Sequence, residues 1–491
     1  MLYRPPDPTL RLWDTWIYRD NDTVHLFHLQ GREGDVGCTS IGHATTRDWV
    51  HWETLPPVLA QGHGTAWDAG PLMTGMVVRH EDRYYQFYGA MIDRVQRIGV
   101  AVSDDLVHWT KVGDSPILEA GGPWYETDPA QALNYETAWR DPYVFYHAPD
   151  DCYYATICAR AAHHGDTGGG CIAVARSENL LDWSLLPPAY VSDAHVCLEV
   201  PEYFALGGKH YLTYTTSYHF GIPYPVNDPY QAAGSFYVVS DDALSGYEAP
   251  KDSSRLNTSM PFGTKNYVGR SVPDPEDDTR RIFYYQHVLP SAPQDPPQGA
   301  LSAIKYLKAD DGGELALHYA PILDPFADDA QPVDRPVEPD CALALLAEDA
   351  PEGIFEATVS VPYAGICFRM ATPAGGIPSG LAVWLAPRRE GDPDLVLMMG
   401  GIRFPPGLSG NRPYFGNPLA MAQIERGAGF PYRLRVVCRG PFIDVYVDDR
   451  LSVSYTFDPA DLPAGQGAGA FYAGYPKEGT VETITVRRIN P

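Results

Sequence analysis

The 491-residue sequence contains no Cys-x-x-Cys or Cys-x-x-His pair, no run of eighteen apolar residues and no sustained helical period. Each absence excludes something. Eight cysteines (Cys38, Cys152, Cys158, Cys171, Cys197, Cys341, Cys367 and Cys438) stand singly, so neither a zinc site nor a disulfide framework is predicted; they read as buried thiols. Without a long apolar run no transmembrane helix is predicted, and the opening MLYRPPDPTL lacks the apolar stretch of a signal peptide, so a cytoplasmic protein is expected. Cations are scarce. The 36 Lys and Arg face 62 Asp and Glu, a formal net charge of −26 that repels phosphate backbones and anionic lipid. Neither nucleic acid nor a membrane is therefore an expected partner; neutral and cationic ligands stay open. The oligomeric state is not legible.

Present in quantity are turn formers and aromatics: 46 Gly, 46 Pro and 32 Tyr, in a chain that is 44% hydrophobic. Such a chain favours turns and aromatic strands over helices and has material for a large core, so a mostly β protein of two domains is expected.

A repeat organises the first part. IGHATTRDWVHW (41–52), IGVAVSDDLVHW (98–109) and IAVARSENLLDW (172–183) align without a gap, each an alternating strand, a Ser/Thr-Asp/Glu turn and a tryptophan. Weaker copies at SFYVVSDDALSGYE (235–248) and ALSAIKYLKADDGGEL (300–315) give five units at intervals of roughly 57 to 75 residues. With further strands between them, the units predict a five-bladed β-propeller over residues 1–325, in preference to a large irregular sandwich. A Pro- and Asp-rich segment, 326–344, reads as a linker, and short alternating strands over 345–491 predict a β-sandwich. The fold class is all-β.

A propeller brings the starts of its inner strands together at one channel. Three acids occupy such starts beside aromatic or turn residues: Asp14 in WDTW, Asp141 in WRDPYVF and Glu199 in LEVPEYF. Pro142 and Pro201 stiffen the backbone beside the last two. Partly desolvated carboxyl pairs suit glycoside cleavage, in which one group attacks and another donates a proton. Arg140 is placed to tune Asp141 or bind substrate, and Trp13, Trp16 and Trp67 offer faces to a sugar ring. Asp20 and Asp22 read as hairpin-turn residues, and His43, His51 and His108, recurring within the repeats, as packing. Glu202 competes with Glu199, which is preferred for its place before Val-Pro.

These motifs resemble the β-propeller glycosidases of the clan joining glycoside hydrolase families 32 and 68, over roughly residues 10–300. HLFHLQ resembles the FYQ strand of the invertase, levanase and inulinase family, and IGHATTRDWVHWETLPPVL its GHA-S-D-L-V-H-W-LP signature; WRDP and E-x-P-E resemble RDP and ECPD. WDTW is closer to the WDSW of levansucrases. The resemblance implies Asp14 as nucleophile, Asp141 as transition-state stabiliser and Glu199 as general acid/base, with Gln30, Trp67, Arg140 and Glu202 lining the subsite and no metal or cofactor. Two departures stand out: WDAG (67–70) puts Asp68 where a serine would bond the nucleophile, and Val200 replaces the cysteine of ECPD. The implied activity is retaining cleavage of β-D-fructofuranosides such as sucrose or fructo-oligosaccharides. The alternatives are β-D-arabinofuranoside cleavage or fructosyl transfer on the same fold, and a non-catalytic carbohydrate-binding propeller.

Overall fold

A computed structural model describes residues 2–130, 132, 136–162, 164, 168–216, 234–250, 256–257, 266–289, 298–329, 331–333, 343–347, 349–372, 376–387, 395–404, 414–424, 430–458, 461–472 and 481–489. The chain divides into two compact units, Met1–Ala316 and Leu317–Pro491. About half of the expected linker, 330 and 334–342, lies outside the described residues, and Gln331–Val333 within it is a strand.

In the first unit, antiparallel sheets follow one another in chain order. The first is β1 (Leu10–Asp20), β2 (Thr23–Arg32), β3 (Ser40–Thr46) and β4 (Glu53–Ala60). The second is β5 (Leu72–His80), β6 (Arg83–Ile92) and β7 (Val95–Ser103), whose far edge pairs with β8 (Thr110–Lys111) and β9 (Leu118–Glu119). The third is β10 (Trp139–His147), β11 (Cys152–Arg160), β12 (Gly170–Ser177) and β13 (Ser184–Val191). The fourth is β14 (Glu199–Leu206), β15 (Lys209–Thr216) and β16 (Gly234–Ser240). The fifth is β17 (Asn266–Pro273), β18 (Arg280–Leu289) and β20 (Lys305–Ala309), with β19 (Gln298–Leu301) also on β18. The chain passes between units in β21 (Leu315–Tyr319).

Consecutive sheets stack through shared apolar cores. Phe27, Leu29 and Ile41 of the first sheet meet Leu72, Val77 and Tyr88 of the second; Phe87 and Ile98 meet Val144, Ala155 and Ile157 of the third. Side chains such as Phe27 and Phe87 are fully buried, each contributing roughly 1.5–3 kcal/mol of transfer free energy. The opening strands β1, β5, β10, β14 and β17 are neighbours in that order, and β17 returns to β1.

The repeat has a common local cause. Thr46, Ser103 and Ser177 each accept backbone N–H groups three residues on, while Asp48, Asp105 and Asn179 accept the next ones. Trp49, Leu106 and Leu180 sit at φ 64°, 66° and 68°, the left-handed residue that closes each turn. His51 and His108 bond Asp48 and Asp105 at 2.7 Å, so they belong to these turns, and His43 is buried against His25 at 3.0 Å. Asn21 and Asp22 form the two-residue turn between β1 and β2.

The second unit has two sheets. One is β22 (Gln331–Val333), β33 (Val481–Arg488), β24 (Gly353–Val359), β29 (Tyr432–Arg439), β30 (Phe442–Val447) and β31 (Arg450–Thr456). The other is β23 (Leu343–Ala347), β32 (Gly467–Tyr472), β25 (Ala364–Ala371), β26 (Ser379–Pro387), β27 (Leu395–Arg403) and β28 (Tyr414–Gln423). Phe355, Val436 and Val445 of the first and Ile366, Val383 and Leu397 of the second form one core, so the sheets face each other. Among the described residues no helix is long and apolar enough to cross a membrane.

Candidate active site

All five opening strands are irregular near the same level. Register with the neighbouring strand shifts at Asp14 in β1, Thr74 in β5, Asp141-Pro142 in β10, Val200-Pro201 in β14 and Val268-Gly269 in β17. A bulge inserts an extra residue and turns its strand, re-aiming the side chains around it. Asp141, Val200 and Val268 have φ of 58°, 50° and 53°, a conformation that is strained for non-glycine residues and steepest for valine. Sequence marks four of these positions: Pro142 and Pro201 cannot donate to a ladder, and Gly75 and Gly269 stand where a Cβ would meet Phe87 O at 2.3 Å and Ser235 Oγ at 2.4 Å.

The bulges bring the three acids into one hydrogen-bonded cluster. The Thr74 hydroxyl donates to Asp14 and also lowers the Asp141 pKa by hydrogen bonding, so one side chain ties the two carboxyl groups together. Asp141 accepts the Val200 N–H at 3.0 Å, which fixes it to β14 directly beside Glu199. Arg140 joins the remaining pair: its Nη2 is 2.7 Å from Glu199 Oε1 and its Nε 3.5 Å from Asp141 Oδ2. Tyr267 donates its hydroxyl to Glu199 Oε2, and its ring lies 5.4 Å from that of Trp13.

Burial dominates the electrostatics. Asp14, Asp141 and Glu199 are all under a tenth exposed. The Asp14 pKa is pushed up to about 7, first by desolvation and then by the Asp141 charge, against the Thr74 hydroxyl and the charges of Arg270 and Arg140. Burial likewise raises Asp141, opposed chiefly by Arg140, and holds Glu199 well above the usual carboxylate range despite the same arginine. Asp14 Oδ1 has no hydrogen-bond partner among the described residues. A carboxyl oxygen so left, beside a second carboxyl group that retains its proton, can combine nucleophilic with general-acid work.

The other sequence-predicted residues divide. Arg140 is central to the cluster. Trp13 flanks it through Tyr267. Trp67 stacks on Tyr88 at 5.6 Å, and Gln30 donates to Ser40 Oγ at 3.1 Å. Trp16 is packed in the core against Phe27 rather than beside the carboxyl groups. Glu202 is held by the Ser271 N–H at 2.7 Å, the Ser271 hydroxyl and Arg281 at 3.2 Å, an ion pair that ties β14 to β17 and β18. Asp68 accepts from the Tyr88 hydroxyl at 3.0 Å and from Lys111 Nζ at 2.5 Å. The hydroxyl expected on Asp14 from the position of Asp68 comes instead from Thr74.

Sequence reasoning missed Thr74, Tyr267, Gln96 and Lys111. Gln96 Oε1 accepts both the Trp139 N–H at 2.8 Å and Arg140 Nη1 at 3.2 Å. Thr74 carried a signal, a lone hydroxyl in the apolar strand LMTGMVV before a glycine; Tyr267, one of 32 tyrosines, carried none. Among the described residues no group of three His, Cys, Asp or Glu side chains is set to hold a metal ion.

Residues 15–318 match the glycosyl hydrolases family 32 N-terminal domain, starting one position past Asp14. A sucrose-6-phosphate hydrolase of Zymomonas mobilis is 28% identical over 207 residues, 39% of this chain and 37% of its own length. An extracellular exo-inulinase of Aspergillus niger is 26% identical over 195 residues, 34% of this chain and 33% of its own. The chain thus spans little more than a third of the length of the curated relatives it matches. Over nearly its whole length it has the fold of a sucrose-6-phosphate hydrolase from Lactobacillus gasseri, with a TM-score of 0.72 at 17% identity and coverage of 98% and 91%. Fructan 1-exohydrolase IIa of Cichorium intybus matches at TM-score 0.72, 13% identity, and coverage of 99% and 96%.

Proposed function

The chain belongs to glycosyl hydrolases family 32, and from that premise we propose that it is a retaining hydrolase of β-D-fructofuranosides working from the Asp14, Asp141 and Glu199 cluster. The five sheets of the first unit are, in this reading, the blades of a five-bladed propeller, and the acids stand where its inner strands enter the channel. The relatives named as sucrose-6-phosphate hydrolase and exo-inulinase support a fructoside as substrate.

Asp14 attacks the anomeric carbon as a carboxylate. The bond to the glycosidic oxygen breaks, its electron pair goes to that oxygen, and Glu199 delivers the proton there. Asp141 and Arg140 hold the sugar hydroxyls and the charge that develops on the ring. Glu199, now ionised, then takes a proton from water as the water oxygen displaces Asp14, returning both groups to their starting states. The observation that carries this reading is Thr74 donating to Asp14 while Arg140 and Tyr267 hold Glu199. It joins an attacking group and a proton donor in one cluster and gives them different surroundings.

The test is release of reducing sugar from sucrose, inulin and levan beside a nitrophenyl β-D-arabinofuranoside. Fructose release lost in Asp14→Asn supports the reading. Turnover confined to the arabinofuranoside moves the substrate; transfer products with little free fructose move the acceptor from water to sugar. Binding without turnover of any furanoside removes catalysis.

A further inference from the structure

We propose that Cys158 and Cys197 form a modification site, a thiol pair beside Arg140 that a hydroperoxide closes to a disulfide, drawing Cys197 off the arginine and slowing turnover. Neither sulfur has a part in the chemistry described above. Cys158 lies on β11 opposite Arg140 of β10, and Cys197 comes two residues before Glu199, ahead of β14. Their sulfur atoms are 3.6 Å apart. Arg140 Nη2 donates to Cys197 Sγ at 3.0 Å and to Glu199 Oε1 at 2.7 Å, so one guanidinium nitrogen serves both the thiol and the proton donor.

Every described cysteine is a buried free thiol, so what sets this pair apart is its surroundings. Burial pushes Cys38, Cys171, Cys367 and Cys438 above the ordinary thiol range, and Cys158 with them. Cys197 goes the other way. The Cys158 hydrogen bond lowers its pKa and the Arg140 charge adds to this against burial, so Cys158 is the donor and Cys197 the acceptor. The thiolate is the form that attacks an oxidant, and a neighbouring arginine favours it. Cys197 also keeps 4% of its surface where Cys158 keeps none. Acidity and exposure therefore name the same sulfur as the first to react.

The Cys197 thiolate attacks one oxygen of hydrogen peroxide: the S–O bond forms, the O–O bond breaks, and the departing hydroxide takes the proton Cys197 gave up and leaves as water. The product is a sulfenic acid. The Cys158 sulfur then attacks the Cys197 sulfur, forming S–S and breaking S–O, and the second hydroxide leaves as water with the Cys158 proton. Two thiols lose two electrons and one peroxide gains them. Closing 3.6 Å to the roughly 2 Å of a disulfide turns the Cys197 sulfur toward β11 and takes an acceptor from Arg140 Nη2, while Gln96 still holds Nη1. Under the fructosidase reading, on which this consequence rests, the arginine shared by Asp141 and Glu199 is then misplaced. That site admits a sugar, and hydrogen peroxide is smaller.

Peptide mass mapping of the folded full chain, treated with hydrogen peroxide and quenched with a thiol alkylator, tests the pair without relying on turnover. A peptide linked through Cys158 and Cys197, formed before any other cysteine is oxidised and absent after dithiothreitol, is expected. Cys158→Ala abolishes that peptide. In the linked protein kcat/KM for sucrose falls at least tenfold, and dithiothreitol restores it. No linked peptide, a different first pair, a loss that dithiothreitol does not restore, or unchanged kcat/KM in the linked protein would each overturn the proposal. A linked peptide in a chain that, even when reduced, turns over no furanoside would keep the thiol pair and remove the fructosidase reading instead. Should Cys158→Ala not fold, mapping of the unaltered chain decides alone.

Discussion

Lys111 Nζ lies 2.5 Å from Asp68 Oδ2, and Asp68 is 3% exposed. This acid of WDAG is thereby paired with a lysine 43 positions away. Removing one partner of a buried pair costs far more than removing both, because a lone buried charge remains. Lys111→Met is expected to destabilise by roughly 1–3 kcal/mol, tempered by the partial exposure of Lys111, and Asp68→Asn with Lys111→Met to recover most of it. Urea unfolding of the two single variants and the double variant measures the coupling; additivity would show that the pair carries no interaction.

Asp14→Asn should lower kcat by about 10⁴-fold or more, since an amide cannot form the glycosyl ester. It should also stabilise the protein with a particular pH dependence. The folded pKa of Asp14 is pushed up to about 7 from 3.8, so ionising it costs the folded state nothing near pH 4 and progressively more up to about pH 7. The Tm gain of Asp14→Asn is therefore small at pH 4 and reaches about 2–5 °C at pH 8. A gain independent of pH would show that Asp14 is not desolvated.

Glu199→Gln and Glu202→Gln separate chemistry from architecture. Glu199→Gln should leave the fold intact and slow natural substrates by about 10²–10⁴-fold, but slow nitrophenyl glycosides less in the first step, because that leaving group needs no proton. Glu202→Gln should chiefly lower stability, by roughly 3–5 kcal/mol, through the orphaned Arg281. Comparable kcat losses with unchanged Tm in both would reverse the assignment.

The pH profile of kcat/KM should be bell-shaped. Its acid limb follows ionisation of Asp14, the alkaline limb loss of the Glu199 proton, with apparent values belonging to the coupled cluster. The Thr74 hydroxyl lowers the Asp14 pKa, so Thr74→Val should move the acid limb to higher pH. A shift to lower pH, or none, would show that Thr74 does not set the Asp14 pKa.

Much of this was legible in order along the chain. The all-β character followed from aromatic and turn-forming composition, and the repeat from short-range logic, because a Ser/Thr accepting N–H groups three residues on needs only local geometry. That Asp14, Asp141 and Glu199 stand at strand distortions could be read because each lies beside residues that locally distort a strand; their clustering is what the structure adds. What the sequence could not decide was who meets whom across the ring. Thr74, Tyr267 and Lys111 act on carboxylates 60, 68 and 43 positions away. The division between Glu199 and Glu202 turns on Ser271 and Arg281, in other strands. Trp16 looked as suited to a sugar as Trp13, yet it packs on Phe27 at the far side of the bulge. Local sequence determines strands, turns and bulges because those depend on neighbours in the chain; the charge state of a buried carboxyl depends on distance in space, which only the closed ring of strands sets.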